Sequence, residues 1–122
     1  MLWFLNIPTP ERVYKECVSQ NLLHPEIVTA QSILETGWYK HYKSHNIFGL
    51  YNSSKHDYYQ FTCWQQSVGF YKEQIQDKYY KGQDYYEFLD FMWKNKKGEC
   101  RRYAGATNYT NTLKQIKWNR SN

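Results

Sequence analysis

The chain has 122 residues, a formal net charge of +5 and an aromatic content of 20%, including 13 tyrosines and 5 tryptophans. That length fits one domain with a small core, and no stretch reaches the apolar length of a transmembrane span. Three cysteines without CxxC spacing argue against a disulfide scaffold or a zinc site, while the charge favours an anionic partner: nucleic acid, a membrane surface or bacterial cell wall.

The first ten residues, MLWFLNIPTP, are too short for a secretory apolar region and lack a basic start, so they are not expected to act as an export signal. Thr9-Pro10-Glu11 reads as a helix start: a cap, a proline at the first helical position and an acid in the first turn. Val13, Tyr14, Cys17, Val18 and Leu22 follow at helical spacing and predict one buried face. Pro25-Glu26 opens a second helix. Ile27, Val28, Ala30, Ile33 and Leu34 surround most of it, which predicts a central helix running to about Thr36 and stopped by Gly37.

Residues 38–64 carry no helical period. Asn46-Ile47-Phe48-Gly49 reads as a tight turn, Asn52-Ser53-Ser54 as another, and Asp57 to Trp64 has the aromatic and β-branched character of a strand. A small β-lobe is expected here. A third helix is predicted over residues 65–80, with Val68, Tyr71, Ile75 and Tyr79 along one stripe. Asp84 and Glu87 form a capping box for a fourth helix carrying Tyr85, Phe88, Leu89, Met92 and Trp93. A basic loop with Lys94, Lys96, Lys97, Arg101 and Arg102 follows, and a last helix begins near Asn108. No nucleic-acid motif accompanies the basic residues. Cys17 is expected in the core, and a Cys63–Cys100 bridge stays open on spacing alone. No repeat or linker divides the chain.

Glu35 is the residue with chemical interest. A glutamate in the last turn of a helix faces the negative end of the helix dipole, which disfavours its charge by roughly 0.3–1 kcal/mol. Burial against Trp38, Tyr39 and Phe48 would raise its pKa further. A glutamic acid that keeps its proton near neutral pH can protonate the leaving oxygen of a glycosidic bond, and the many tyrosines suit a sugar-stacking groove. On the residues alone, an exposed Glu35 paired with Lys40 or Lys43 is the favoured reading. His41 and His45 stand four apart but lack the glutamate of an HExxH motif, so no metal is expected.

The run Ala30-Gln31-Ser32-Ile33-Leu34-Glu35-Thr36-Gly37-Trp38, followed by Asn46-Ile47-Phe48-Gly49-Leu50, resembles the bacterial glucosaminidase family. These are peptidoglycan-cleaving domains of the lysozyme-like superfamily, glycoside hydrolase family 73, with an AQ-x-x-LE-S/T-G-W run and then N-x-FG-I/L. The segment Tyr103-Ala104-Gly105-Ala106-Thr107-Asn108-Tyr109 is similar to the family's YAT-x-P-x-Y segment, departing from it at Gly105 and Thr107. The resemblance implies a mainly α (α+β) fold, lysozyme-like, with a small β-hairpin lobe beside the groove. It implies Glu35 as general acid and Tyr103 as a cleft tyrosine that assists it. Trp38, Asn46, Phe48, Gly49 and Tyr109 become the substrate-binding candidates. Asp57, the only acid between Glu35 and Glu73, is the candidate second carboxylate. The substrate's own N-acetyl group is the alternative to it.

The implied activity is that of an endo-β-N-acetylglucosaminidase on peptidoglycan, of autolysin or endolysin type. It would need no cofactor and no metal, bind no nucleic acid, insert in no membrane and act as a monomer at the bacterial cell wall. A muramidase, a lytic transglycosylase and a non-catalytic wall-binding protein are the competing readings.

Overall fold

The computed structural model describes residues 6–91, 93–94, 100–105 and 108–118. Among the described residues, five α-helices and two small hairpins follow one another. They are α1 (Pro10–Ser19), α2 (Pro25–Thr36), β1 (Tyr51–Asn52), β2 (Asp57–Tyr58), α3 (Trp64–Gln74), α4 (Tyr85–Asp90), β3 (Trp93–Lys94), β4 (Cys100–Arg101) and α5 (Tyr109–Lys114), with a 3-10 turn at Gln76–Lys78. The fold is mainly α with a small antiparallel β component, as the sequence implied.

The helix starts obey their local signals. Thr9 Oγ1 accepts the Arg12 N–H at 3.2 Å, and Pro10 occupies the first turn of α1. Asp84 Oδ1 accepts the Glu87 N–H at 3.0 Å at the start of α4. His24, in a left-handed conformation, precedes Pro25 and caps α2 without a side-chain bond.

α2 is the central helix. Seven of its twelve residues are buried: Val28, Thr29, Ala30, Gln31, Ser32, Ile33 and Thr36. Four of those seven are polar, and each finds a hydrogen bond. Thr29 donates to the Pro25 carbonyl, Ser32 to the Thr29 carbonyl and Thr36 to the Ser32 carbonyl. Gln31 reaches across to other elements. α1 packs on α2 through Val13 and Cys17, both fully buried. Burial pushes the Cys17 thiol up to about 12, so it is an inert core group. Val18, expected on the same face, is 50% exposed; the apolar stripe of α1 is narrower than its spacing suggested.

Three elements end earlier than predicted. α3 stops at Gln74, and a 3-10 turn carries the chain on to Lys78. The stripe nevertheless holds, because Val68, Tyr71, Ile75 and Tyr79 are all buried. α4 ends at Asp90, and Trp93 is a strand residue paired with Arg101. What looked like a continuation of the helix followed by a basic loop is therefore a second hairpin. The strand expected from Asp57 to Trp64 keeps only Asp57 and Tyr58, and Trp64 opens α3.

Arg102, of the basic cluster, is exposed. Lys96 and Lys97 lie outside the described residues, as do Thr107 and the side chain of Cys100. Cys63 carries a free thiol. Among the described residues, no helix is long and apolar enough to cross a membrane.

Candidate active site

α2 ends in an unusual turn. Gly37 takes φ +57°, and Trp38 and Tyr39 follow at +59° and +65°. Three successive left-handed residues, two of them aromatic, carry strain of about 1–2 kcal/mol per non-glycine residue. Hydrogen bonds hold them there. The Trp38 N–H reaches the Ile33 carbonyl at 2.9 Å, the Tyr39 N–H reaches Thr36 Oγ1 at 2.7 Å, and the Tyr39 hydroxyl meets Ser32 Oγ at 2.6 Å. The turn reverses the chain at the end of α2, so that residues 41–46 run beside Glu35.

A second device shapes the other side. Asn46 is buried, and its Nδ2 donates to the Leu50 carbonyl at 2.8 Å and to the Tyr59 carbonyl at 3.0 Å. Its Oδ1 accepts the Leu50 N–H at 3.0 Å. One amide thus closes the 46–50 turn and fastens it to the base of the β1–β2 hairpin. Inside this turn Gly49 has φ +62°, and a Cβ built on it would lie 2.9 Å from Glu35 Oε2. Only glycine lets the backbone pass so close to that carboxyl.

Between these parts lies an open groove of about 660 Å³. Glu35, Asn46 and Gly49 line it, with Asp57, Tyr58, Tyr59 and Gln60 from the hairpin side and His41, Tyr42, Lys43 and Ser44 from the segment after α2. Both candidate carboxylates therefore share one cavity. Asp57 is exposed, and its Oδ1 accepts the Tyr58 N–H at 2.7 Å. Glu35 is mostly buried. Desolvation lifts its pKa from the ordinary 4.5 to about 7, and the Tyr109 hydroxyl, which faces the carboxyl as a donor, offsets part of that rise. Glu35 is therefore not the exposed glutamate of the lysine-paired reading.

The other expected site residues are distributed differently. Phe48 is fully buried against Tyr71, with ring centroids 4.7 Å apart, so its ring supports the turn from beneath. The Tyr103 hydroxyl donates to the Phe48 carbonyl at 2.6 Å, and its ring stacks on Tyr109 at 5.6 Å. Tyr103 thus ties the segment after β4 to the turn that carries Gly49. Tyr109 is buried at the start of α5. Trp38 is 48% exposed and is not a lining residue of the groove. Among the described residues, no group of three or more His, Cys, Asp or Glu could hold a metal.

Sequence reasoning passed over Tyr42, Tyr58 and Tyr59 as groove residues. The signal available was their density in a stretch with no helical period. The contact of Tyr109 with Glu35 had no local signal, because 74 positions separate them.

A mainly helical domain with a small β-lobe and an open groove at the end of its central helix is the architecture of a lysozyme-like fold. Residues 11–120 match the Glucosaminidase family, described as mannosyl-glycoprotein endo-beta-N-acetylglucosaminidase, and the chain belongs to that family of glycoside hydrolases. No curated protein and no solved structure matched it.

Proposed function

We propose that this protein is an endo-β-N-acetylglucosaminidase that cleaves the glycan strands of peptidoglycan at the bacterial cell wall, with Glu35 as general acid. The observation that carries the reading is the Glu35 carboxyl, desolvated to a pKa of about 7 at the side of a groove. Protonated Glu35 gives its proton to the glycosidic oxygen as the bond from the anomeric carbon breaks. The electron pair leaves with that oxygen, and positive charge develops on the sugar ring. Asp57, on the same groove, supplies the negative charge that stabilises the cation or takes a proton from the attacking water. Tyr42, Tyr58 and Tyr59 offer ring faces to the sugar C–H surfaces and hydroxyls to its polar edges. Asn46, Gly49, Phe48 and Tyr103 act on substrate through the shape of the turn. The net positive charge of the chain suits an anionic wall.

Digestion of purified peptidoglycan with mass spectrometry of the fragments tests this reading. Fragments with a reducing N-acetylglucosamine end are expected. Reducing or anhydro muramic acid ends would assign the protein to the muramidase or transglycosylase chemistry instead.

The role of Asp57 has its own test. Asp57→Asn is expected to lower kcat by roughly 10²-fold or more with little change in KM, because the exposed hairpin position keeps its shape. A variant that retains most of its rate would point to the substrate's N-acetyl group as the assisting nucleophile.

A further inference from the structure

A short strand edge joins the groove to a second cavity. After β2 the chain continues through Tyr59, Gln60 and Phe61. The Tyr59 N–H donates to the Leu50 carbonyl at 2.9 Å, and the Phe61 N–H donates to the Ser44 carbonyl at 2.9 Å. The Tyr59 carbonyl accepts Asn46 Nδ2 at 3.0 Å. Tyr59 and Phe61 thus bond to one side, and strand alternation turns the main chain of Gln60 to the other. Gln60 is exposed, and neither its backbone nor its side chain makes a hydrogen bond among the described residues. Its N–H and C=O form an open edge.

Tyr59 and Gln60 line the groove beside Glu35. They also line a second cavity of about 700 Å³, so the two spaces meet along this edge. The amides of the second cavity are already oriented. Gln20 Nε2 donates to Glu16 Oε2 at 2.8 Å and to the Gln65 carbonyl at 3.1 Å, which leaves Gln20 Oε1 as an acceptor. A Cβ on Gly69 would come within 2.9 Å of that oxygen. Gln66 Oε1 accepts the Thr62 N–H at 2.9 Å and the Thr62 hydroxyl at 3.3 Å, which leaves Gln66 Nε2 as a donor. Phe70 supplies an apolar wall, with Tyr59 and Phe61 at centroid distances of 4.5 and 5.4 Å. Among the described lining residues Glu73 alone is charged.

These features select a ligand. An open strand edge is completed by another extended main chain, which meets its N–H and C=O with the opposite groups. A sugar offers hydroxyls without that alternation. Amides that donate and accept suit further peptide groups, the phenylalanines suit a small aliphatic side chain, and no cation lines the cavity to hold an anion. Peptidoglycan carries short peptides as branches on its sugars.

We propose that the Gln60 edge and the cavity beyond it bind a peptide branch of the strand whose glycan lies in the groove. The identity of the peptide rests on the glucosaminidase reading; the open edge and the cavity do not.

Amidase digestion of peptidoglycan gives the two probes, free branch peptides and bare glycan strands. In a 15N NMR titration of the wild-type protein, the peptides are expected to shift the backbone amides of Gln66 and Gly69, which line the second cavity and not the groove. Bare strands are expected to shift Ser44 and Gly49 instead. Gln60→Pro removes the edge N–H, and Gly69→Leu displaces the Gln20 oxygen and fills the cavity. Each should weaken peptide binding by about tenfold, the factor carried by one or two hydrogen bonds. If Gln60→Pro does not fold, Gly69→Leu, which favours its helix, decides alone. Peptides that leave Gln66 and Gly69 unmoved would overturn the proposal. So would bare strands that move them, because the cavity would then continue the path of the glycan. Peptide shifts in a protein that releases no glycan fragments keep the peptide site and remove the glucosaminidase reading. Glycan release with both amides unmoved by peptide does the reverse.

Discussion

Glu35→Gln is expected to lower glycan cleavage by roughly 10²–10⁴-fold and at the same time to make the protein more stable in alkaline solution. Glutamine keeps the shape of the acid but has no proton to give to a leaving oxygen. The stability effect follows from the same burial. The folded protein holds the Glu35 proton up to about pH 7, whereas an unfolded chain releases it near 4.5. The stabilisation from that tighter proton is complete below the lower value and is lost as pH rises through the upper one. Above pH 7 the wild-type fold must bury a charge, at a cost of about 2–3 kcal/mol once the open side of the groove is allowed for. Urea unfolding at pH 8 should show the variant ahead by about that amount, and unfolding at pH 4 should show the two nearly equal. Cleavage by the wild type should fall on passing pH 7, as the acid loses its proton. A folded Glu35→Gln that still cuts peptidoglycan at the wild-type rate would end the assignment of Glu35.

The second large effect is expected at Gly49. An alanine Cβ there would lie 2.9 Å from Glu35 Oε2, too close for either group to stay in place. Asn46 holds the backbone of the turn with three hydrogen bonds, so the carboxyl is what moves. Displacement of a catalytic group by about 1 Å costs on the order of 10²-fold, and we expect kcat for Gly49→Ala to fall by about that factor. The left-handed backbone adds roughly 1 kcal/mol of instability. Gly82→Ala is the matching control. It too has positive φ, at +100°, but nothing lies within 4 Å of its added Cβ. It should lose stability and keep its cleavage rate. If Gly49→Ala cleaves as well as Gly82→Ala, the close approach to Glu35 is irrelevant to catalysis.

Much of this site could be read from local signals. The Pro25 start, the apolar residues of α2 and the Gly37 stop place Glu35 in the last turn without any knowledge of the rest of the chain. Asn46-Ile47-Phe48-Gly49 announces a turn, and its order after Glu35 carries the family resemblance. Signals that depend on distant partners were not legible. Phe48 reads as a groove aromatic in sequence, yet Tyr71 covers it. Asn46 reads as a turn residue that touches substrate, yet its amide is consumed by backbone groups of Leu50 and Tyr59. Gln31 should have raised a question, because a polar residue on a helix surrounded by apolar ones must find a partner inside. Its partners, Tyr71 and Tyr109, come from 40 and 78 positions away, beyond any periodicity. The end of α4 was missed for a related reason. Trp93 fits the helical spacing, but pairing with Arg101 in a hairpin wins.

The two carboxylates belong to parts of the molecule held with unequal firmness. Glu35 rides on the helix at the centre of the core. Asp57 rides on a hairpin of two residue pairs, beyond the point where Asn46 grips Leu50 and Tyr59, and both of its strand residues are exposed. Local opening draws on the least supported segments first. Under the proposed roles, warming should release the hairpin with Asp57 while Glu35 remains seated, and glycan cleavage is expected to end at a lower temperature than the helical core melts. The melting temperature of the core would then overstate the range over which peptidoglycan is cut.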